Sequence, residues 1–133
     1  MKVYLAGPIF QCEDHECINW REEAKKSLGK FEVIDPMVRD YRGSTDRDFN
    51  EIVEKDKAEV NASDILLAYC TKPSVGTSME VLYAWENRKK VYVITENNEI
   101  SPWLLYHSHG IFKSVGEAVR YLNELSENPK VSL

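Results

Sequence analysis

No stretch of this chain stays apolar for anything near the roughly 20 residues that a membrane-spanning helix needs, and the opening MKVYLAGPIF lacks the pattern of a secretory leader. No membrane partner is expected. Cysteine is sparse. Cys12, Cys17 and Cys70 are an odd set that builds no disulfide framework, and their spacing matches no zinc signature. His15 lies between the first two, but no second ligand pair follows, so no metal is expected. Reduced thiols in a cytoplasm fit this usage. Positive charge is the minority, 17 Lys and Arg against 22 Asp and Glu, and the sequence pI is about 5.2. Without a basic stripe, a nucleic-acid backbone is not an expected partner, although local donors can hold a small anion inside a negative protein. A GxxxxGK phosphate loop and a GxGxxG after the first strand are both missing, which disfavours ATP-driven and NAD hydride chemistry. No cofactor is expected. No repeat, low-complexity segment or linker divides the 133 residues, which suit one domain, 1–133, around one core.

What is present is alternation. KVYLAG (2–7), FEVIDP (31–36), DILLAYC (64–70) and KVYVIT (90–95) read as short buried strands. Between and after them, 14–29, 48–63, 77–89 and 114–127 read as helices, with Asp14 available as a cap and Gly29 as a stop. Residues 39–48 and 96–103 read as loops, and the final PKVSL as a frayed end. Continuous apolar strands alternating with helices indicate a three-layer α/β sandwich, Rossmann-like in kind, with a central parallel sheet. Ligands in such folds sit at the carboxyl ends of the strands, here the loops that start at Gly7, Asp35, Cys70 and Glu96.

The unusual local chemistry falls in or beside those loops. In PSVGTSMEV (73–81), Thr77-Ser78-Met79-Glu80 fits a capping box, with the Thr77 hydroxyl as cap and Glu80 reaching back to its amide. The same carboxylate near a helix start, held ionised by the helix dipole and facing a crevice, is instead a nucleophile. Asp56 shares one helical face with Phe49, Val53 and Val60, widened by Ile52, so it either pairs with a base such as Lys57 or serves as a second site carboxylate of tunable pKa. Tyr4, mid-strand, is either core packing or the partner of a carboxylate across the crevice. Gly7-Pro8 lets backbone approach a ligand, and Ser74 and Ser101 are small hydroxyl donors at the same sheet edge. Trp103, Tyr106, His107 and His109 form an aromatic-rich segment suited to covering a base or to a subunit contact, with structural roles favoured for the histidines.

Taken in order, VYLAGPIF, EKDKAEVNASDILLA and PSVGTSMEVLYA resemble the nucleoside 2-deoxyribosyltransferase family, which includes the 2′-deoxynucleoside 5′-monophosphate N-hydrolases. The resemblance covers roughly residues 2–103. It implies a flavodoxin-like fold and cleavage of the bond between base and deoxyribose through a covalent glycosyl ester. It implies Glu80 as nucleophile, Tyr4 as its hydrogen-bond partner, and Asp56 as the acid for the leaving base or a contact to the sugar. Gly7, Pro8, Ser74, Gly76 and Ser101 would line the substrate. The transferase branch usually carries an acidic residue where this chain has Ser74, whereas a serine there binds the 5′-phosphate in the hydrolase branch. That leans toward a nucleotide substrate and water as acceptor, with transfer between bases left open. The resemblance also implies a homodimer or higher homo-oligomer whose neighbouring subunits complete the sites. A second resemblance links PSVGTSME to the PGGxGTxxE loop of the phosphoribohydrolases that activate cytokinin nucleotides, but the paired glycines are absent and the spacing is one residue short. A non-catalytic nucleotide sensor on the same fold is the alternative of another class.

Overall fold

The computed structural model describes residues 1–43 and 48–127. The four expected strands form, as β1 Lys2–Ala6, β2 Glu32–Ile34, β3 Ile65–Tyr69 and β4 Lys90–Ile94, and a fifth, β5 Gly110–Phe112, joins them. Each is short and bounded by a turn former or a polar residue, and the three central strands are almost wholly buried. The sheet is parallel throughout, in the order β2-β1-β3-β4-β5. This is the flavodoxin-like order, and it puts a topological switch point between β1 and β3.

The helices are α1 Asp14–Cys17, α2 Asn19–Ser27, α3 Phe49–Ala62, α4 Val75–Glu86, α5 Pro102–Tyr106 and α6 Val115–Glu127. Side-chain alternation along the strands divides the core into two layers. Val3 and Leu5 of β1 pack with Trp20, Ala24 and Leu28 from the α2 segment and with Val119 and Leu122 of α6. Tyr4 and Ala6 point the other way, toward Val60 of α3 and Val81 and Ala84 of α4. The sandwich therefore has three layers, and its second face carries Tyr4 toward the helices that bear Asp56 and Glu80.

Several boundaries differ from expectation. The helix expected over 14–29 is broken at Ile18, and its start is capped by Glu13, paired with Glu16 in a capping box, rather than by Asp14. Asp48 caps α3 by accepting from the Asn50 and Glu51 amides. β5 went unseen because three residues after a five-residue helix carry no legible period. Residues 44–47 of the polar loop and the end from 128 onward lie outside the described residues. No helix among the described residues is long and apolar enough to cross a membrane.

Candidate active site

The local structure of PSVGTSMEV decides how Glu80 is used. Helix α4 begins at Val75, three residues before the Ser78 start that a Thr77 cap would set, and Ser74 is its cap. The Ser74 Oγ accepts from the Thr77 amide at 3.3 Å and lies 2.9 Å from the Thr77 hydroxyl. The expected capping box around Thr77 and Glu80 does not form. With the start moved back, Glu80 falls in the second turn, past the end where the helix dipole acts most strongly, and its side chain is free for another role.

The partner of Glu80 lies on the strand that α4 packs against. The Tyr4 hydroxyl, on a fully buried side chain of β1, donates a hydrogen bond to the Glu80 carboxylate. Glu80 lies at the wall of a cavity of about 530 Å³, with solvent on one side and protein on the rest. Burial pushes its pKa up to about 7. The Tyr4 bond opposes that rise, the nearby Asp56 charge adds to it, and the buried Arg21 guanidinium offsets part of it. Burial also drives the Tyr4 hydroxyl far above its usual range, with Glu80 and Asp56 adding to the shift, so it stays a proton donor. The helix-dipole reason for an ionised Glu80 is thus corrected: the anion is held by Tyr4 and opposed by burial.

Asp56 lines the same cavity, half-buried, and accepts from Arg39 Nη2 at 3.1 Å. Arg39 also pairs with Glu59. Burial raises the Asp56 pKa, and the Arg39 bond pulls against it. The base is Arg39, not Lys57. The stripe on which Asp56 was placed is only partly buried, since Phe49 is 74% and Val53 46% exposed while Val60 is inside. Among the described residues no cluster of His, Cys, Asp and Glu is arranged to hold a metal.

Of the other expected site residues, Gly7, Ser74 and Gly76 line the cavity with Glu80 and Asp56, while Pro8 is buried beside it without lining it. Gly7 has a further reason to be glycine: a Cβ there would come within 2.6 Å of the Trp20 ring. Ser101 caps α5 and lines a second cavity of about 490 Å³, which meets the first at Ser74 and Thr77. His109 Nδ1 accepts from the Val91 amide at 3.0 Å, and His107 stacks on Trp103 at the wall of the second cavity.

The residue that sequence reading missed is Arg21. Fully buried, it donates to the Leu5 carbonyl at 2.8 Å, the Gly7 carbonyl at 3.0 Å and Asp35 at 3.1 Å, stapling the carboxyl ends of β1 and β2. Lys25 completes the Asp35 pairing at 2.7 Å. The signal was present, because Arg21 lies on one helical stripe with Cys17, Ala24 and Leu28, all without solvent contact.

Residues 3–122 match the sequence profile of the family described as nucleoside 2-deoxyribosyltransferase. No curated protein sequence matches the chain. Among solved structures, a 2-deoxyribosyltransferase from Bacillus psychrosaccharolyticus superposes with a TM-score of 0.75 at 20% identity, over 91% of this chain and 92% of that one. The CMP N-glycosidase BcmB of Clostridium botulinum gives 0.65 at 19% identity, over 93% and 99%. A 2-desoxiribosyltransferase from Leishmania mexicana gives 0.69 at 18% identity, over 93% and 97%. At these identities the solved structures establish the shared fold.

Proposed function

The chain belongs to the nucleoside 2-deoxyribosyltransferase family, and from that premise we propose that it cleaves the N-glycosidic bond of a 2′-deoxynucleoside or its 5′-monophosphate through a deoxyribosyl ester on Glu80. The observation that carries this reading is the Tyr4 hydroxyl bonded to a Glu80 carboxylate that shares one cavity with Asp56. A cap or a surface carboxylate has no need of a buried phenol partner.

In the first step an oxygen of ionised Glu80 attacks C1′, the C1′–N bond breaks, and its electron pair leaves with the base. Asp56, whose burial favours the protonated form, supplies the proton that the leaving nitrogen needs. In the second step water, deprotonated by the same group, attacks C1′ and displaces Glu80, so configuration at C1′ is retained. Tyr4 fixes the carboxylate and stabilises it as an anion.

A nucleotide is the favoured substrate. Ser74 stands at the start of α4 beside the first-turn amides, and with Thr77 as donor it keeps its own hydroxyl hydrogen for a ligand. A phosphate favours such donors, and Ser101 across the second cavity offers another. Two further readings accompany this one. Met79, Trp103, Leu105 and Tyr106 are exposed at 53% to 70% on α4 and α5, which supports a homodimer or larger homo-oligomer. The three free thiols support a reducing compartment such as the cytoplasm.

Product analysis on a panel of deoxynucleosides and their 5′-monophosphates tests the reading. Free base and deoxyribose 5-phosphate from the monophosphates, produced faster than deoxyribose from the nucleosides, is the expected result. A new nucleoside formed when a second base is added would move the assignment to the transferase, and no cleavage anywhere on the panel would end it.

A further inference from the structure

One residue of the cavity wall holds a backbone conformation that its side chain does not favour. Gln11 has φ +57°, in the left-handed region. It is the third residue of a turn closed by the Cys12 amide on the Ile9 carbonyl at 3.2 Å, the place where a glycine is usual. Arg42 pins the turn by donating to the Cys12 carbonyl at 3.0 Å. Strain of this kind persists where the surroundings over-determine it, and it clusters at ligand sites.

The direction of the reaction says what would lie against this turn. In the doubly wound sheet the loop after β1 and the start of α4 form opposite walls of the crevice at the switch point. If C1′ sits at Glu80 and the 5′ end of the sugar at Ser74 and Gly76, the base extends toward Asp56 and the wall made by Ile9–Cys12, Tyr41 and Ile52. The arginines on that wall are committed, Arg39 to Asp56 and Glu59 and Arg42 to Asp14 and Asp40. Gln11 is exposed to the cavity mouth, and its amide makes no hydrogen bond among the described residues.

We propose that Gln11 reads the leaving base, its carboxamide presenting one donor beside one acceptor to the base edge. The proposal rests on the glycosidase reading above. Nucleobases display adjacent donors and acceptors, and an amide can pair with such an edge twice. The left-handed turn then has a purpose, since it keeps a residue with a long amide on the cavity wall in a loop that a glycine would form more easily.

The test compares wild type, Gln11→Gly and Gln11→Asn on deoxynucleosides, their monophosphates and 4-nitrophenyl 2-deoxyriboside, whose leaving group has no such paired edge. Gln11→Gly should lower kcat/KM on the best natural substrate by on the order of tenfold or more and reorder the base preference. It should leave nitrophenyl release within about twofold and should not lower the melting temperature, because glycine adopts this φ readily. Gln11→Asn, which tolerates the turn and keeps a shorter amide, should fall between. Equal losses on both classes of substrate, or unchanged base preference, would overturn the role of Gln11 while leaving the glycosidase reading intact. Wild-type protein that cleaves neither class overturns both.

Discussion

Glu80 is asked to be an anion in surroundings that favour its acid form, and this conflict is measurable. Its pKa of about 7 places the acidic limb of kcat/KM near pH 7, rising as Glu80 ionises. Tyr4→Phe removes the hydrogen bond that lowers this pKa, so the limb should move to higher pH as well as dropping in height. A limb near pH 4.5 in both proteins would show that burial does not control the group. Stability carries the same signature with a definite sign. A carboxyl whose folded pKa exceeds its unfolded value contributes stability at low pH and loses it as pH rises through the folded value. Glu80→Gln keeps an acceptor for Tyr4 without a charge. Denaturant unfolding should therefore show the variant close to wild type at pH 5 and more stable at pH 8.5, by on the order of 1–3 kcal/mol. A variant less stable than wild type at pH 8.5 would contradict this. Sequence alone offered both fates for Glu80, cap or nucleophile. Local spacing favours the cap and the family resemblance the nucleophile, and the choice turns on a three-residue shift of the α4 cap from Thr77 to Ser74.

That shift belongs to the element scale. Ser74 and Thr77 both have cap-forming hydroxyls, and spacing alone favoured Thr77 because of Glu80 three residues on. In the structure Ser74 is the cap, so Ser74→Ala removes both the N-cap of α4 and the proposed ligand donor. Loss of such a cap destabilises by about 0.5–2 kcal/mol, which would blur any effect on substrate. Ser74→Asp separates the two functions. Aspartate caps as well as serine but places a negative charge where the phosphate is proposed to sit. Nucleotide cleavage should then fall by at least tenfold, with nucleoside cleavage and melting temperature nearly unchanged. Equal losses on nucleosides and nucleotides would remove Ser74 from phosphate binding. The main helices and the four long-signal strands were legible because their periods and stops are local. Strand β5 was not, since three residues carry no legible period, nor was the break at Ile18, whose backbone stays in the right-handed helical region. The burial of Arg21 is legible in its helical stripe, but its partners, two backbone carbonyls at the end of β1 and Asp35 just after β2, are set by the finished sheet.

At the scale of the whole molecule, the strand order makes the site. Placing β1 beside β3 sends their following helices to opposite faces and opens the crevice between Gly7 and Ser74. Tyr4, Asp56 and Glu80 lie on three separate elements and converge because the second face of β1 packs on α3 and α4. Residue reading alone offers each of the three a site role beside a structural one, and the family resemblance is what joins them as nucleophile, partner and acid. The exposed apolar residues of α4 and α5 should be covered in solution. Sedimentation at micromolar concentration should show a dimer or larger, and Trp103→Glu should shift it toward monomer. A wild-type monomer under those conditions would contradict the proposed assembly.

The covalent ester on Glu80 is the claim on which the rest depends, and it can be trapped. A 2′-fluorinated substrate slows both glycosyl steps by destabilising positive charge at C1′, and a good leaving group restores the first. Peptide mass spectrometry of the treated wild-type protein should then show a fluorodeoxyribosyl adduct on the peptide containing Glu80, absent from Glu80→Gln. Steady turnover with no adduct, together with a folded Glu80→Gln variant that still cleaves at a near-normal rate, would contradict the account.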